Sequence, residues 1–256
     1  MANIDLKVPV NYSEMTEKQI RYVATLKLHG VTEKDIWRRC FIKFSGIKPM
    51  AESGNNYVFS KNKLKGFFTM KIDDLSCFVR KMSWLTTQYS GVKPIQIIGL
   101  NPCDELMRDT KLIQYIDAEN HYQAFIFTGD ENELILLAAT LYQKGSEYNK
   151  ASVKIIAENI KKLKVELYVC LMWMLGIKQE FASKWPYLFP SSSGANDEDD
   201  FQTVVPDMER IIRNQLRMLT KGDVTKESKV LATLTHSALD ELNSQCYEYE
   251  KSKQKS

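Results

Sequence analysis

The sequence predicts a mainly α protein: a multi-helix bundle with one small β-hairpin at about 56–70 and a C-terminal helical arm. Three observations carry that expectation. Apolar residues return every three to four positions through most of the chain. Gly-Asp pairs at 129–130 and 222–223 fall where one helix would stop and the next would be capped. Strand-like runs are confined to Tyr57–Phe59 and Phe67–Met70. With 256 residues, 44% hydrophobic and 26% charged, the chain is long enough for one large or two small globular units with a real core.

After an extended lead-in holding Pro9, residues 13–46 read as a helical hairpin. Ile20, Val23, Ala24 and Leu28 lie at helical spacing, and Gly30 stops the helix. Thr32 with Asp35 approximates a capping box for the next helix, whose stripe is Ile36, Trp37, Cys40, Phe41 and Phe44 up to Gly46. The β-hairpin, 55–71, turns on the polar run Ser60 to Lys63. Asp73 or Asp74 then starts a helix through Leu75, Phe78, Val79 and Met82 to about Leu85, and Pro94 to Ile98 is an extended connector.

The core helices occupy 102–185. Pro102 begins a short helical turn, Thr110 caps a helix to Phe127, and Thr128-Gly129-Asp130 ends it and caps the next, which runs to Tyr142. So short a joint makes the pair antiparallel, with Leu112, Ile116, Tyr122 and Phe125 facing Leu134, Leu137, Ala138 and Leu141. A helix from Ala151 to Lys162 bends into the most apolar one, which ends near Lys184 and is the expected central element through Leu167, Leu171, Met174 and Leu175. The body is therefore expected to span 1–189, followed by a flexible acidic linker at 190–200 and the helical arm at 201–256. The arm holds helices at Phe201–Leu219 and Thr235–Tyr249.

The net charge of +3, from 35 Lys and Arg against 32 Asp and Glu, gives the whole chain no steer toward nucleic acid or an anionic membrane. Five cysteines at scattered positions, with no CxxC pair, suggest neither a disulfide framework nor a zinc knuckle. The first residues lack a basic stretch followed by an apolar run, and the longest apolar run, Val165 to Ile177, is well short of the roughly 20 residues that span a bilayer. A reducing cytoplasm without membrane attachment is the expectation.

No residue pattern points to catalysis. There is no GxSxG elbow, no cysteine in a recognisable nucleophile signature and no phosphate-binding loop. Asp117 and His121 share a helix face as a metal pair could, but no second Glu-x-x-His helix accompanies them. The expected state is a partly exposed histidine bonded to Asp117, with no metal and no cofactor. The hairpin from Leu26 to Phe41 has spacing similar to a helix-turn-helix, and Arg38 and Arg39 are its candidate DNA contacts. Against that, Trp37 and Phe41 occupy positions where a reading helix needs polar residues.

Gly99, Pro102 and Asp104, then Ala118-Glu119, Tyr122, Phe125, Thr128 and Asp130, then Leu134, Leu137, Ala139 and Leu141-Tyr142 resemble the pattern of a family of poorly characterised proteins of Bacteroidetes phages and prophages. The likeness continues into WMLGIKQEFASKWPYLF and LTKGDVTKESKVLATLTHSALDELNSQCYEYE, and covers about 95–250. Gln143 departs from the pattern, which has arginine and proline after Leu141-Tyr142. Genes of such proteins lie among those for tail and virion assembly. The resemblance thus implies a non-enzymatic protein in the host cytoplasm or the virion, working as a tail-assembly chaperone or connector component. Its partners would be tail or connector proteins or a second copy of the chain, without nucleic acid. Trp185, Tyr187, Phe189 and Phe201 are the aromatics expected to contact a partner or the arm itself. The alternative is a DNA-binding regulator that uses 16–46.

Overall fold

The computed structural model describes residues 6–61, 67–145, 147–190 and 208–253. Within them the protein is mainly α, with a three-stranded antiparallel sheet and a two-stranded one. The chain forms two compact units, 1–93 and 94–256. The expected division, a body to 189 and an arm beyond it, therefore gives way to a boundary at the Lys93-Pro94 connector.

The first unit opens with α1 (Glu17–Leu28) and α2 (Glu33–Ser45). Thr16 starts α1 with a capping box whose partner is Gln19, satisfying two backbone donors at once. The Thr32 hydroxyl accepts from the Asp35 backbone at the head of α2. Gly46, with φ +69, ends α2 in the left-handed region. The two helices bury the face made by Ile20, Val23, Ala24, Ile36, Cys40 and Phe41. Tyr12 closes this core from the lead-in, donating its hydroxyl proton to Leu85 O (2.7 Å) and meeting Trp84 edge-on at 5.1 Å. Gly91 sits so close to Ser13 that a Cβ there would lie 3.1 Å from the Ser13 nitrogen.

The expected hairpin is part of a larger sheet, in which β1 (Ile47–Ser53), β2 (Asn56–Lys61) and β3 (Phe67–Lys71) pair in that order. Strand β1 is hidden in the sequence for a physical reason. It is an edge strand with one buried residue, Ile47, so it shows no alternation, and its Pro49 is accommodated where the register shifts between Pro49 and Ala51. Strand β2 also runs through Ser60 and Lys61, which the sequence assigned to a turn; the rest of that connection, 62–66, lies outside the described residues. Phe59, at the sheet's centre, is buried and stacks on Phe68 at 5.6 Å. Two short helices, α3 (Ile72–Arg80) and α4 (Trp84–Thr87), replace the single one expected to Leu85.

In the second unit, α5 (Leu112–Thr128) and α6 (Glu131–Leu141) form the expected antiparallel pair. Gly129 at φ +67 ends α5, and the Asp130 carboxylate accepts from the Asn132 backbone at 2.9 Å. Next come α7 (Lys150–Ile160) and α8 (Lys164–Lys184). Helix α8 buries Leu167, Val169, Cys170, Leu171, Met172, Trp173, Met174 and Ile177, so it is apolar all round and central, as its sequence suggests. Two local expectations are corrected. Pro102 is in β4 (Asn101–Pro102), which pairs with β5 (Tyr142–Gln143), because the end of α6 offers backbone groups to that segment. Thr110 does not cap α5, whose N-cap is Lys111; its hydroxyl instead meets that of Thr235 at 2.9 Å.

Those threonines explain why the end of the chain is no hinged arm. After α9 (Met208–Thr220) and α10 (Glu227–Leu231), the backbone at 233–235 pairs with 110–112: Leu112 N donates to Thr233 O at 2.8 Å and Thr235 N to Thr110 O at 2.9 Å. The last helix, α11 (Thr235–Lys253), then buries Ala238, Leu239 and Leu242 in the unit's core. Each buried leucine contributes roughly 1.5–3 kcal/mol. Leu239→Ala is expected to destabilise the protein by about 2–5 kcal/mol in urea unfolding. A loss under about 0.5 kcal/mol would mean that α11 is an undocked arm after all.

Candidate functional site

The aromatics singled out near 185–201 have divided roles. Of the two contacts expected of it, Trp185 makes the one to α11. It is 2% exposed, donates its indole proton to Asp240 Oδ1 at 2.6 Å, and packs edge-on against Phe181 (4.8 Å) and His236 (5.0 Å). His236 is fixed as the Nε2–H tautomer, since Nε2 faces Leu106 O at 2.7 Å and Nδ1 faces the Lys184 ammonium at 3.1 Å. Trp185 is thus an internal anchor whose ring is not offered outward. Tyr187 stays exposed beside Tyr247, centroids 4.9 Å apart, and Phe189 is half-buried. Phe201 and the linker beyond Pro190 lie outside the described residues.

The structure separates Asp117 from His121. His121 pairs with Glu133 across the α5–α6 hairpin at 2.7 Å, whereas Asp117 accepts from the Tyr148 hydroxyl (2.7 Å) and from Lys150 (2.9 Å). The i,i+4 bond expected between them is replaced because each side chain finds a partner on a neighbouring element. Among the described residues, no group of three or more His, Cys, Asp or Glu is placed to hold a metal.

A polar cleft of about 490 Å³ lies beside this network, between the β4–β5 pair and the start of α5. Its buried amides are committed to the backbone. Gln114 Nε2 donates to Thr140 O at 2.9 Å, and Gln143 Oε1 accepts from the Asn149 backbone at 3.2 Å. Burial, with Asp109 and Asp104 close by, pushes the Cys103 thiol well above its usual range, so this cleft wall carries a poor nucleophile. A buried ion pair lies further along α5. Glu119 accepts from Lys178 of α8 and from Gln123 (2.6 Å), and its second oxygen, Oε2, is buried without a hydrogen bond. Lys178 also lies over the Tyr122 ring, 5.0 Å from its centroid. Compared with protein-family models, with curated proteins and with solved structures, the chain matches none. The functional reading therefore rests on the geometry and on the sequence pattern.

In the first unit, Arg38 and Arg39 are exposed on α2, and Arg38 is tied to Asp35 at 2.8 Å. Phe41 is core and Trp37 is half-buried, its indole proton donated to Thr86 Oγ1 at 3.1 Å. Of the two aromatics that weighed against a nucleic-acid role, Phe41 faces the core while the half-buried Trp37 lines a groove, and α2 also exposes Lys34, Arg38, Arg39 and Lys43. A groove of about 510 Å³ lies between α2, β2 and α3. No sequence motif marks it, because its walls come from segments some 20 to 40 residues apart. One signal was available: residues 1–93 hold sixteen Lys and Arg against eight Asp and Glu, a formal +8, while 94–256 hold nineteen against twenty-four, a formal −5. The total of +3 conceals that split.

Two predictions follow from these environments. Lys178→Met leaves the Glu119 charge buried and unpaired and is expected to cost about 3 kcal/mol, most of it recovered in the Lys178→Met/Glu119→Gln double variant; additive losses would deny the coupling. Burial pushes the Cys40 and Cys170 thiols up, to about 12, which keeps them in the unreactive thiol form at pH 8. Iodoacetamide is expected to label the exposed Cys77 in the native protein and to reach Cys40 and Cys170 only after denaturation.

Proposed function

We propose that this is a non-enzymatic phage or prophage protein that works through protein contacts in tail or virion assembly, as a tail-assembly chaperone or a connector component. The observation that carries the reading is α9. It is strongly two-sided, with Ile211, Ile212, Leu216, Met218 and Leu219 toward one side and Arg210, Arg213 and Arg217 spread over the other. Yet Ile211 is 41% and Met218 37% exposed, and Ile212, Leu216 and Leu219 are only half-buried. A helix that keeps so much apolar surface in water gains by covering it with another helix, at roughly 25 cal/mol for each Å² removed.

The sequence pattern supports the phage setting, and several of its residues serve packing or capping. Tyr122, Leu134, Leu137, Ala139, Leu141 and Tyr142 are all buried, so the shared residues specify how α5 packs on α6. Glu119 is engaged by Lys178 and Asp130 is a helix cap.

Affinity capture with the tagged full-length chain from phage-infected or induced cells is expected to recover a tail or connector protein. The exposed pair Ile211→Asp/Met218→Asp is expected to lower that recovery at least tenfold with unchanged circular dichroism. Recovery of no virion-assembly protein by the unaltered chain would overturn the proposal.

A further inference from the structure

The groove of the first unit goes beyond that reading. It is lined by Ile72, Leu75 and Val79 of α3, by Trp37 and Tyr57, and by the charged Lys34, Asp35, Arg38 and Arg80. The Trp37 indole is held in place through Thr86, so its ring does not have to be ordered when something lies against it. Among the described residues, Lys34 and Arg80 have no carboxylate partner, one on α2 and the other on the last turn of α3. The acids nearby are Asp35, engaged by Arg38 and the Thr32 hydroxyl, Glu33 beside Lys34, Glu52 across the sheet from Tyr57, and Asp73 and Asp74 in the first turn of α3, at the other end of that helix from Arg80.

Aromatic and apolar lining beside three cations, of which Lys34 and Arg80 have no carboxylate partner among the described residues, matches the two halves of a nucleotide, a planar base and a phosphate. We propose that the groove between α2, β2 and α3 binds single-stranded nucleic acid, with bases against Trp37 and Tyr57 and backbone phosphates at Lys34, Arg38 and Arg80. A duplex keeps its bases stacked inside and offers phosphates alone, which leaves the apolar lining and the two rings without a role. An acidic peptide would satisfy the cations, but its charges lie on flexible side chains and it has no planar groups to meet two aromatic rings. The +8 of the surrounding unit concentrates a polyanion near the groove.

The test uses the full-length protein and fluorescence anisotropy with four labelled probes at 50 and 200 mM salt: a 15-nucleotide oligo-dT, the matching oligo-U, a 15-base-pair duplex and an oligoglutamate peptide. Single strands are expected to bind at least tenfold more tightly than the duplex or the peptide. With three phosphates neutralised, affinity should fall with a log–log salt slope near −2, at about 0.7 per phosphate. Lys34→Glu/Arg80→Glu, both surface changes, is expected to weaken single-strand binding more than tenfold. Trp37→Ala is expected to weaken it about tenfold and Trp37→Phe much less. Equal or tighter binding of the duplex or the peptide overturns the proposal, as does single-strand binding that the Lys34/Arg80 double variant leaves unchanged, or no binding at 50 mM salt. None of these outcomes bears on α9, so this proposal and the assembly role stand or fall separately.

Discussion

A helical stretch that is apolar on every side cannot have a face in water, and Leu167 to Ile177 of α8 imposes that condition on the second unit. Its neighbours are arranged to cover it. The α5–α6 hairpin lies along it, with Tyr115 against Phe181 at 5.6 Å, and Tyr142 meets Trp173 edge-on at 6.1 Å. The loop before α5 accepts the Trp173 indole proton at Glu105 O (2.8 Å). At the C-terminal end, where α8 gives way to Trp185-Pro186, the cover comes from α11. The last nineteen-residue helix is therefore part of the core because α8 would otherwise leave Phe181 and Trp185 wet.

The buried polar groups of this unit serve the same end. Leaving a buried polar group unpaired is costly, and most are matched across elements: Glu119 through Oε1 with Lys178, Asp117 with Tyr148 and Lys150, Gln114 and Gln143 with backbone, Thr110 with Thr235, while Glu119 Oε2 and Thr140 Oγ1 have no hydrogen bond. These pairs fix which helix lies against which, since an apolar stripe alone tolerates sliding. The surface left for function is made of side chains that packing did not use.

That division explains what could be read in advance. Helices with a local stop and cap, such as Gly129-Asp130 between α5 and α6, were legible because their determinants lie within four residues. The central place of α8 was legible from composition alone. Strand β1 was not, because an edge strand with one buried side chain has no period to detect. The docking of α11 was half legible: its Ala238, Leu239 and Leu242 stripe was in the sequence, but the Thr110–Thr235 contact joins residues 125 positions apart. The same distance problem hid the Asp117–Lys150 pair and made His121 look like its partner. It also hid the groove, whose Trp37, Tyr57 and Arg80 come from three elements that no motif connects.

The charge split is a property that a whole-chain value cannot express. A unit of about 100 residues has a radius of gyration near 13 Å, while charges in physiological salt are screened over about 8 Å. A charged group near one residue is therefore felt chiefly over that distance, so the +8 of residues 1–93 and the −5 of residues 94–256 carry more information than their sum. Opposite charge on two units of one chain has a further consequence. A polyanion is drawn to the first unit and repelled by the second, and in the second unit apolar surface such as the exposed side of α9 is left to associate by burial, which salt hardly weakens. Under the two proposals ionic strength separates the surfaces: raising it is expected to release a strand held at Lys34, Arg38 and Arg80, while a contact through Ile211 and Met218 is expected to persist.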